Sequence, residues 1–291
     1  MSIVPFLSTA ALSASIEPWR AKGFSIGLVP TMGALHSGHI HLVKELQKKC
    51  DKVVVSIFVN PLQFGPSEDF AIYPRTLPAD LEMLSAAKVD AVFAPSAREM
   101  YPDDFQTTIH NSTLSANLCG KFRPGHFDGV LTVVYRLFHL IKPNRAIFGK
   151  KDYQQWKIIE RMTLDLGLDV DVLGAETVRE SDGLAMSSRN RYLTPEHREN
   201  AAVIYQGLAE AKKLYRSGVR SSQDIIKKFS ALLGKYPGME IQYAELVNAK
   251  NLAMLSGDLG NAPVCFMVAV IYGGVRLIDN IEFEEAVSSG P

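Results

Sequence analysis

Residues 24–49, FSIGLVPTMGALHSGHIHLVKELQKK, contain the pattern that decides the fold. An apolar run at 24–29 ends at Pro30, and apolar residues then return at helical spacing over 38–49. The next apolar run, VVVSIFV at 53–59, is nearly continuous, which is typical of a strand buried on both faces of a parallel sheet. These segments predict a strand, a helix and a second, parallel strand.

The same alternation continues to about residue 175. Helices are predicted at 78–88, 130–141 and 154–166, and short strands at 91–94, 146–148 and 170–173. Repeated alternation of helix and strand is typical of a doubly wound α/β domain, which binds ligands at the carboxyl ends of its strands. We therefore expect a Rossmann-like parallel sheet over residues 1–176.

The pattern changes after Gly183. Two amphipathic helices are predicted first, at 195–217 and 222–233, and two strands follow at 241–247 and 264–272. Gly273-Gly274 after the last strand is a hairpin signal. Helices followed by strands indicate a separate, smaller α+β domain, which we place at 177–291.

Composition narrows the class of protein. The chain has 291 residues, of which 47% are hydrophobic, and its 31 basic and 31 acidic side chains balance to zero net charge. This balance argues against a nucleic-acid-binding or membrane-surface protein, since both use a basic excess. No apolar run approaches the 18 or so residues of a membrane span. Three scattered cysteines without a C-x-x-C pair fit a reducing compartment, so we expect a cytoplasmic protein.

Two histidines, His36 and His39, flank Gly38 where a helix is predicted to start. A helix N-terminus presents unpaired N–H groups and the positive end of its dipole, so it can hold an anion such as phosphate. A zinc site is an alternative, although it needs three or four ligands. A second alternative is a purely structural role for both rings.

Further polar segments follow predicted strands or precede predicted helices. Asn60 and Gln63 offer two carboxamides for a small polar substrate, or only the polarity of a turn. Arg123 and His126 lie in a Gly/Pro loop that suits an anion or is merely a loop. Two more segments combine glycine or hydroxyls with cations and suit phosphate: Gly149-Lys-Lys-Asp152 and Met186-Ser-Ser-Arg-Asn190, the latter with Arg179 and Arg191 adding positive charge nearby. The alternatives are a solvated charge run at 149–152 and arginines that serve only solubility.

Taken together, these segments resemble a known family. PTMGALHSGH at 30–39 and MSSR at 186–189 resemble the two signatures of the HxGH nucleotidyltransferase superfamily, which also contains class I aminoacyl-tRNA synthetases. The full set of motifs is similar to the pantoate–β-alanine ligase family: VNPLQFGPSED at 59–69, YPRT at 73–76, RPGHFDGV at 123–130, KDYQQ at 151–155 and DGLAMSSRN at 182–190. The resemblance extends from about Gly23 to Asp279.

The resemblance implies a two-step ligation. ATP adenylates the carboxylate of (R)-pantoate with loss of pyrophosphate, and the amine of β-alanine then attacks the acyl adenylate to give pantothenate and AMP. It also implies a homodimer and a C-terminal domain that closes over the active site. Mg²⁺ would bind together with ATP, held mainly by phosphate oxygens, and no residue of the protein is assigned as a metal ligand. Such chemistry needs positioning and charge neutralisation more than a protein nucleophile.

The resemblance also implies residue roles. His36, His39, Lys151 and Arg189 would act in catalysis, with His39 as proton donor. Gln63, Gln155 and Asn60 would bind pantoate and β-alanine. ATP would contact Met32, Gly33, Ala34, Leu35, His36, Ser37, Gly38, His39, Gly149, Lys151, Asp152, Val178, Met186, Ser187, Ser188 and Arg189.

Three positions depart from the family pattern. Lys150 stands where the family usually has glutamate, and it adds positive charge beside the expected nucleotide site. Cys119 and Phe122 replace an expected acidic and an expected small residue.

The alternatives to a ligase are a nucleotidyltransferase that stops at an adenylated product, and a nucleotide-binding module without activity. The small second domain and zero net charge argue against a tRNA synthetase.

Overall fold

The computed structural model describes residues 3–66 and 68–283. By their contacts these residues form two compact units, one of 3–150 and 158–178 and the other of 151–157 and 179–283. The predicted domain boundaries, 1–176 and 177–291, stay a prediction.

The first unit is built on a five-stranded parallel sheet in the order β3-β2-β1-β4-β5, which confirms the predicted Rossmann-like architecture. Leu28 in the central strand lies opposite Val54 on one side and Ala146 on the other. The strands are β1 (Ile26–Thr31), β2 (Lys52–Ile57), β3 (Ala91–Phe93), β4 (Arg145–Gly149) and β5 (Asp171–Ala175).

Both faces of this sheet are buried. Val29, Val55 and Ile147 share one apolar cluster with helix residues such as Val43 and Leu84. Because side chains alternate along a strand, buried neighbours such as Leu28 face the other side. The helices in this part of the chain are α1 (Thr9–Ala21), α2 (Ser37–Gln47), α3 (Leu77–Ala86), α4 (Ala97–Met100), α5 (Cys119–Phe122), α6 (His126–Ile141) and α7 (Tyr153–Asp165).

The second unit contains a three-stranded antiparallel sheet that includes both predicted strands, and a hairpin at Gly273-Gly274, where both residues have positive φ, joins the strand at 264–272 to a third strand at 275–283. Its elements are α8 (Pro195–Asn200), α9 (Val203–Arg216), α10 (Ser222–Leu233), β6 (Glu240–Asn248), β7 (Val264–Tyr272) and β8 (Val275–Phe283).

One predicted helix of this unit is wrong as a single element. The helix expected at 195–217 is interrupted at Ala201 and Ala202. There the N–H of Ile204 bonds the carbonyl of Ala201, three residues back, which is the tighter 3-10 spacing. Both alanines are buried, so the break lies in the core.

No helix within 3–66 and 68–283 is long and apolar enough to cross a membrane. Cys50, Cys119 and Cys265 are buried, and within the described residues they form no disulfide.

Candidate active site

The order of the parallel strands identifies where the first unit can bind a ligand. The chain runs from β1 to β2 and β3 on one side, and then crosses to β4 and β5 on the other. Neighbouring loops diverge at such a switch point and leave a crevice outside the carboxyl ends of the strands. The loop after β1 leads to His36, and β4 ends at Gly149. The predicted ATP segments of this unit therefore follow the two strands that border the switch point.

The loop after β1 has an unusual backbone that a buried carboxylate supports. Gly33 and Ala34 both have positive φ, +79° and +50°, and a non-glycine residue there is strained. Asp80, on the first turn of α3, is 2% exposed and accepts the N–H groups of Ala34 (3.0 Å) and Leu35 (2.9 Å). Thr76 Oγ1 also donates to it (3.1 Å). This carboxylate fixes the loop that leads into α2.

His36 is the N-cap of α2, which starts at Ser37, so only His39 is within the helix. The two rings nevertheless lie together, with centroids 4.1 Å apart. His36 Nδ1 accepts the N–H of Gly38 (3.2 Å), and His39 Nδ1 accepts the N–H of His36 (3.3 Å). Since an accepting nitrogen has no proton, these bonds place the proton of each neutral ring on Nε2.

This arrangement suits an anion better than a metal. Two Nε2–H donors stand beside the first turn of α2, where the helix dipole is positive. Among the described residues, no group of three or more His, Cys, Asp or Glu side chains could hold a metal ion.

Asn60 and Gln63 lie together just after β2, around a short 3-10 turn at 61–63. Both are buried, at 1% and 7% exposure. Asn60 Nδ2 donates to Gln63 Oε1 (3.0 Å), and Gln63 Nε2 contacts the Met32 sulfur (3.2 Å). The structure thus brings the loop after β1 and the turn after β2 into contact.

Two residues to which the sequence assigned no role, Tyr101 and Gly129, hold this turn in place. Tyr101 donates its O–H to Asn60 Oδ1 (2.8 Å), and its burial raises the pKa of its phenol well above the ordinary value. Gly129 on α6 approaches so closely that a Cβ there would lie 2.2 Å from the carbonyl oxygen of Leu62. Tyr101 lies outside the motifs, and no local signal identifies it, whereas Gly129 lies within the RPGHFDGV motif but its close contact with Leu62 is not readable from the sequence.

Arg123 and His126, which the sequence analysis considered for anion binding, have internal partners instead. Arg123 pairs with Glu68 through Nη2–Oε2 (2.5 Å) and also meets His126 Nε2 (2.9 Å). His126 Nδ1 lies 2.8 Å from the carbonyl oxygen of Gln63. A carbonyl only accepts, so Nδ1 is the protonated nitrogen. These bonds support the backbone of Gln63, which makes the pair structural.

In the segment after β4, Lys150 belongs to the first unit and Lys151 to the second. Gly149 leaves open space, since an added Cβ would meet nothing within 4 Å. Lys150 pairs with the exposed carboxylate of Glu176 (2.6 Å). The charge that replaces the usual glutamate is therefore partly offset within this chain.

The remaining predicted site residues of the second unit lie on two segments. Lys151 and Asp152 form a short 3-10 turn before α7, and the carbonyl of Lys151 accepts from Asn280 Nδ2 (2.9 Å). Gln155 is half-buried in the first turn of α7. The other segment is Met186–Arg189, in which Ser188 is buried. Val178 follows β5 and belongs to the first unit.

The Met186–Arg189 segment is anchored at its base. Ser187 Oγ accepts the N–H of Arg189 (3.3 Å), and Asn190 Nδ2 donates to Glu180 (3.1 Å) and to the carbonyl of Ala185 (3.1 Å).

Arg179 does not add net positive charge near this segment, contrary to our expectation. Its guanidinium forms a bidentate pair with the buried carboxylate of Asp279 (2.7 and 2.9 Å) and lies 3.8 Å from the ring centre of Tyr205. A carboxylate held by both arms of the guanidinium offsets its charge.

Comparison with known proteins identifies the family. The family model described as pantoate-beta-alanine ligase matches residues 6–282. The chain belongs to the pantoate–β-alanine ligase family. It is therefore a ligase that joins pantoate to β-alanine, and the family's reaction uses ATP and passes through an acyl adenylate.

Curated relatives agree along nearly the whole chain. Pantothenate synthetase from Thermotoga petrophila is 47% identical over 264 residues, which is 91% of this chain and 94% of the relative. The Desulfitobacterium hafniense enzyme is 48% identical over 265 residues, 91% of this chain and 93% of the relative.

Solved structures share the fold. The crystal structure of pantothenate synthetase from Thermus thermophilus has a TM-score of 0.91 at 43% identity and covers 97% of this chain and 99% of that one. Pantoate-beta-alanine ligase from Francisella tularensis, complexed with β-γ ATP and β-alanine, has a TM-score of 0.80 at 34% identity, with 98% and 99% covered. These matches confirm the predicted fold class and ligase function.

Proposed function

We propose that this chain performs the family reaction with the residues that the sequence analysis named. In the first step a pantoate carboxylate oxygen attacks the α-phosphorus of ATP, a P–O bond forms, and pyrophosphate leaves. In the second, the β-alanine nitrogen attacks the acyl carbon, AMP leaves, and the nitrogen loses a proton. The observation that carries the proposal is the pair of Nε2–H imidazoles at the start of α2.

His36 and His39 are proposed to donate to ATP phosphate oxygens. Negative charge grows on the leaving pyrophosphate as its bond to the α-phosphorus breaks, and preorganised donors stabilise that charge most in the transition state. His39 is the proposed proton donor, because its Nδ1 is held by a backbone N–H and its Nε2 has the proton. Met32–Leu35, Ser37 and Gly38 complete this ATP-binding loop.

Gln63, Asn60 and Gln155 are proposed to bind pantoate and β-alanine. The buried amide of Gln63, placed by Asn60, supports this role for the first two. Amides recognise hydroxyl and carboxylate oxygens without adding a charge that would repel the nucleotide. The Francisella relative, solved with β-alanine, supports β-alanine as the second substrate.

The remaining ATP contacts are proposed on three segments: 149–152, Val178 and 186–189. Gly149 offers the open space beside its backbone, and Val178 belongs to the same unit. Lys151 and Arg189 are proposed to neutralise phosphate charge during catalysis. Asp152 would bind the ribose, and Met186, Ser187 and Ser188 would contact ATP beside Arg189.

Mg²⁺ is proposed to arrive with ATP. The described residues provide no three-carboxylate or mixed metal cluster, and the two imidazoles use Nδ1 for backbone bonds. Mg²⁺ prefers oxygen ligands and keeps several waters, so phosphate oxygens suit it. When bound it would neutralise phosphate charge.

We further propose a cytoplasmic homodimer. Three buried cysteines that form no disulfide within the described residues support a reducing compartment. The dimer follows from family resemblance alone, and light scattering on the purified protein would test it: a mass near twice 32.1 kDa is expected, and a mass near 32.1 kDa at every concentration would contradict it.

Product analysis tests the function directly. Purified protein is incubated with ATP, Mg²⁺, pantoate and β-alanine, and AMP and pantothenate are quantified. Equal amounts of both are expected. Pyrophosphate release with accumulation of the adenylate and no pantothenate would indicate a nucleotidyltransferase that stops at the adenylated product, and release of neither pyrophosphate nor AMP would indicate a binding module.

Gln155 has its own test within this assay. Gln155→Ala should lower turnover by about 10²-fold, the scale of losing one preorganised contact to the reacting substrate. A near-normal rate would remove Gln155 from the mechanism.

A further inference from the structure

The amide of Gln63 has a defined direction because a chain of hydrogen bonds begins in the backbone. The N–H of Leu62 donates to Asn60 Oδ1 (3.3 Å), and the carbonyl of Gly129 accepts from Asn60 Nδ2 (3.0 Å). A backbone N–H can only donate and a carbonyl can only accept, so these two bonds settle which end of the Asn60 amide is which.

Asn60 passes that direction on to Gln63. Its Nδ2 donates to the side chain of Gln63, so the atom that faces it must be the acceptor, Oε1. Gln63 Nε2 therefore points the other way, toward Met32. Nε2 has two hydrogens, and within the described residues it meets one acceptor, a thioether sulfur, which accepts weakly. The Gln63 amide is thus prepared to donate to an oxygen.

Tyr101 keeps Asn60 in this position. Its O–H bond to Asn60 Oδ1, at 2.8 Å, is shorter than the 3.3 Å bond from Leu62. The ring packs against Phe105, with centroids 5.0 Å apart, and against Phe58. Because these two aromatic contacts hold the ring, removal of the hydroxyl group should leave the ring in the same position.

We propose that Tyr101 is a positioning residue for pantoate: through Asn60 it holds the Gln63 amide with its N–H groups toward a hydroxyl or carboxylate oxygen of the substrate. Tyr101 does not touch the substrate in this proposal. The inference rests on the proposed role of Gln63 in binding pantoate. It adds a residue from the α4 end, outside every motif that resembles the family.

Tyr101→Phe tests the proposal, with Tyr135→Phe as a matched control from the same unit. Pantoate-dependent exchange of pyrophosphate into ATP gives separate KM values for pantoate and ATP. Loss of one neutral hydrogen bond predicts a pantoate KM that rises about 5- to 10-fold. The ATP KM should stay within about 2-fold, and Tyr135→Phe should change neither. Similar rises in both constants would indicate a general structural effect and overturn the proposal.

A double-mutant cycle shows whether Tyr101 acts through Gln63. Once Gln63→Ala has removed the amide, Tyr101→Phe should leave the pantoate KM within about 2-fold of the Gln63→Ala value. The same 5- to 10-fold rise in that background would overturn the proposal, as would an unchanged pantoate KM in Tyr101→Phe alone. A wild-type protein without pantoate-dependent exchange would instead refute the proposed function itself.

Discussion

His39 uses its two ring nitrogens for different tasks. Nδ1 accepts a backbone N–H within the loop, and Nε2 holds the proton proposed to reach phosphate. A substitution can separate these tasks, since an asparagine oxygen can stand near the position of Nδ1 but offers nothing at Nε2.

His39→Asn is therefore expected to keep the loop and lose the reaction. Turnover should fall by about 10²-fold or more, the scale of losing a proton donor or one transition-state contact, while the free energy of unfolding changes by less than about 1 kcal/mol. Steady-state kinetics and urea denaturation measure the two effects. His41→Asn, on the same helix, is the control, and a normal rate for His39→Asn would exclude the proposed role.

Single residues within motifs can be placed from the sequence, but the distant residues that hydrogen-bond to them cannot. His36, His39, Asn60 and Gln63 follow predicted strands or start a predicted helix, so their positions can be inferred. Tyr101 contacts Asn60 across 41 positions of sequence, and no local pattern encodes that bond.

The loop between β1 and α2 shows how one element supports another. Asp80 belongs to α3, and an acidic residue in a first helical turn ordinarily interacts with its own helix dipole. Here its two oxygens accept N–H groups of a loop 45 residues earlier. The two N–H groups donate to different oxygens of Asp80, so the side chain needs two acceptor oxygens, which a carboxylate has and an amide does not.

Asp80→Asn should therefore destabilise the loop. The amide has one acceptor oxygen, so one N–H would face an NH₂ group, at a cost of about 1–3 kcal/mol in the free energy of unfolding. The ATP KM should also rise. Denaturation and kinetics check both, with the exposed Glu82→Gln on α3 as control. A change below about 0.5 kcal/mol would show that Asp80 is not needed.

The turn before Met186–Arg189 should be sensitive to acid. Arg198 donates to Asp182 Oδ2 (2.6 Å), and this bond, with the N–H of Leu184, lowers the pKa of Asp182 below its ordinary 3.8. A carboxyl whose pKa is lowered on folding stabilises the protein above the unfolded pKa, and this contribution is lost as pH falls through the folded value.

Asp182→Asn should thus be less stable than wild type at pH 7, and the difference should shrink as pH falls below about 3.8. Thermal unfolding across pH measures it, and Asp104→Asn, at an exposed carboxylate, is the control. A difference that is independent of pH would mean that the Arg198 bond does not stabilise the fold through the charge of Asp182.

For the molecule as a whole, burial of all three thiols makes their reactivity a measure of opening. Burial raises the pKa of the Cys50 thiol, and the thiolate is the reactive form. We expect all three to react at least about 10²-fold faster with an aromatic disulfide reagent in guanidinium than in the native protein. Fast labelling of any thiol without denaturant would contradict the burial described above.

The amino-acid sequence was enough to predict the parallel sheet, the hairpin and the motif residues. It could do so because apolar periodicity reports which side chains are buried, and because turn residues mark where strands end. The folded structure is needed to learn the strand order, which makes the segments after β1 and β4 neighbours, and the partners of Lys150, Arg123 and Arg179. It also shows that Asp80 accepts the N–H groups of the loop after β1, and it gives the direction of the Gln63 amide. These features depend on bonds between residues far apart in the chain, which no local pattern records.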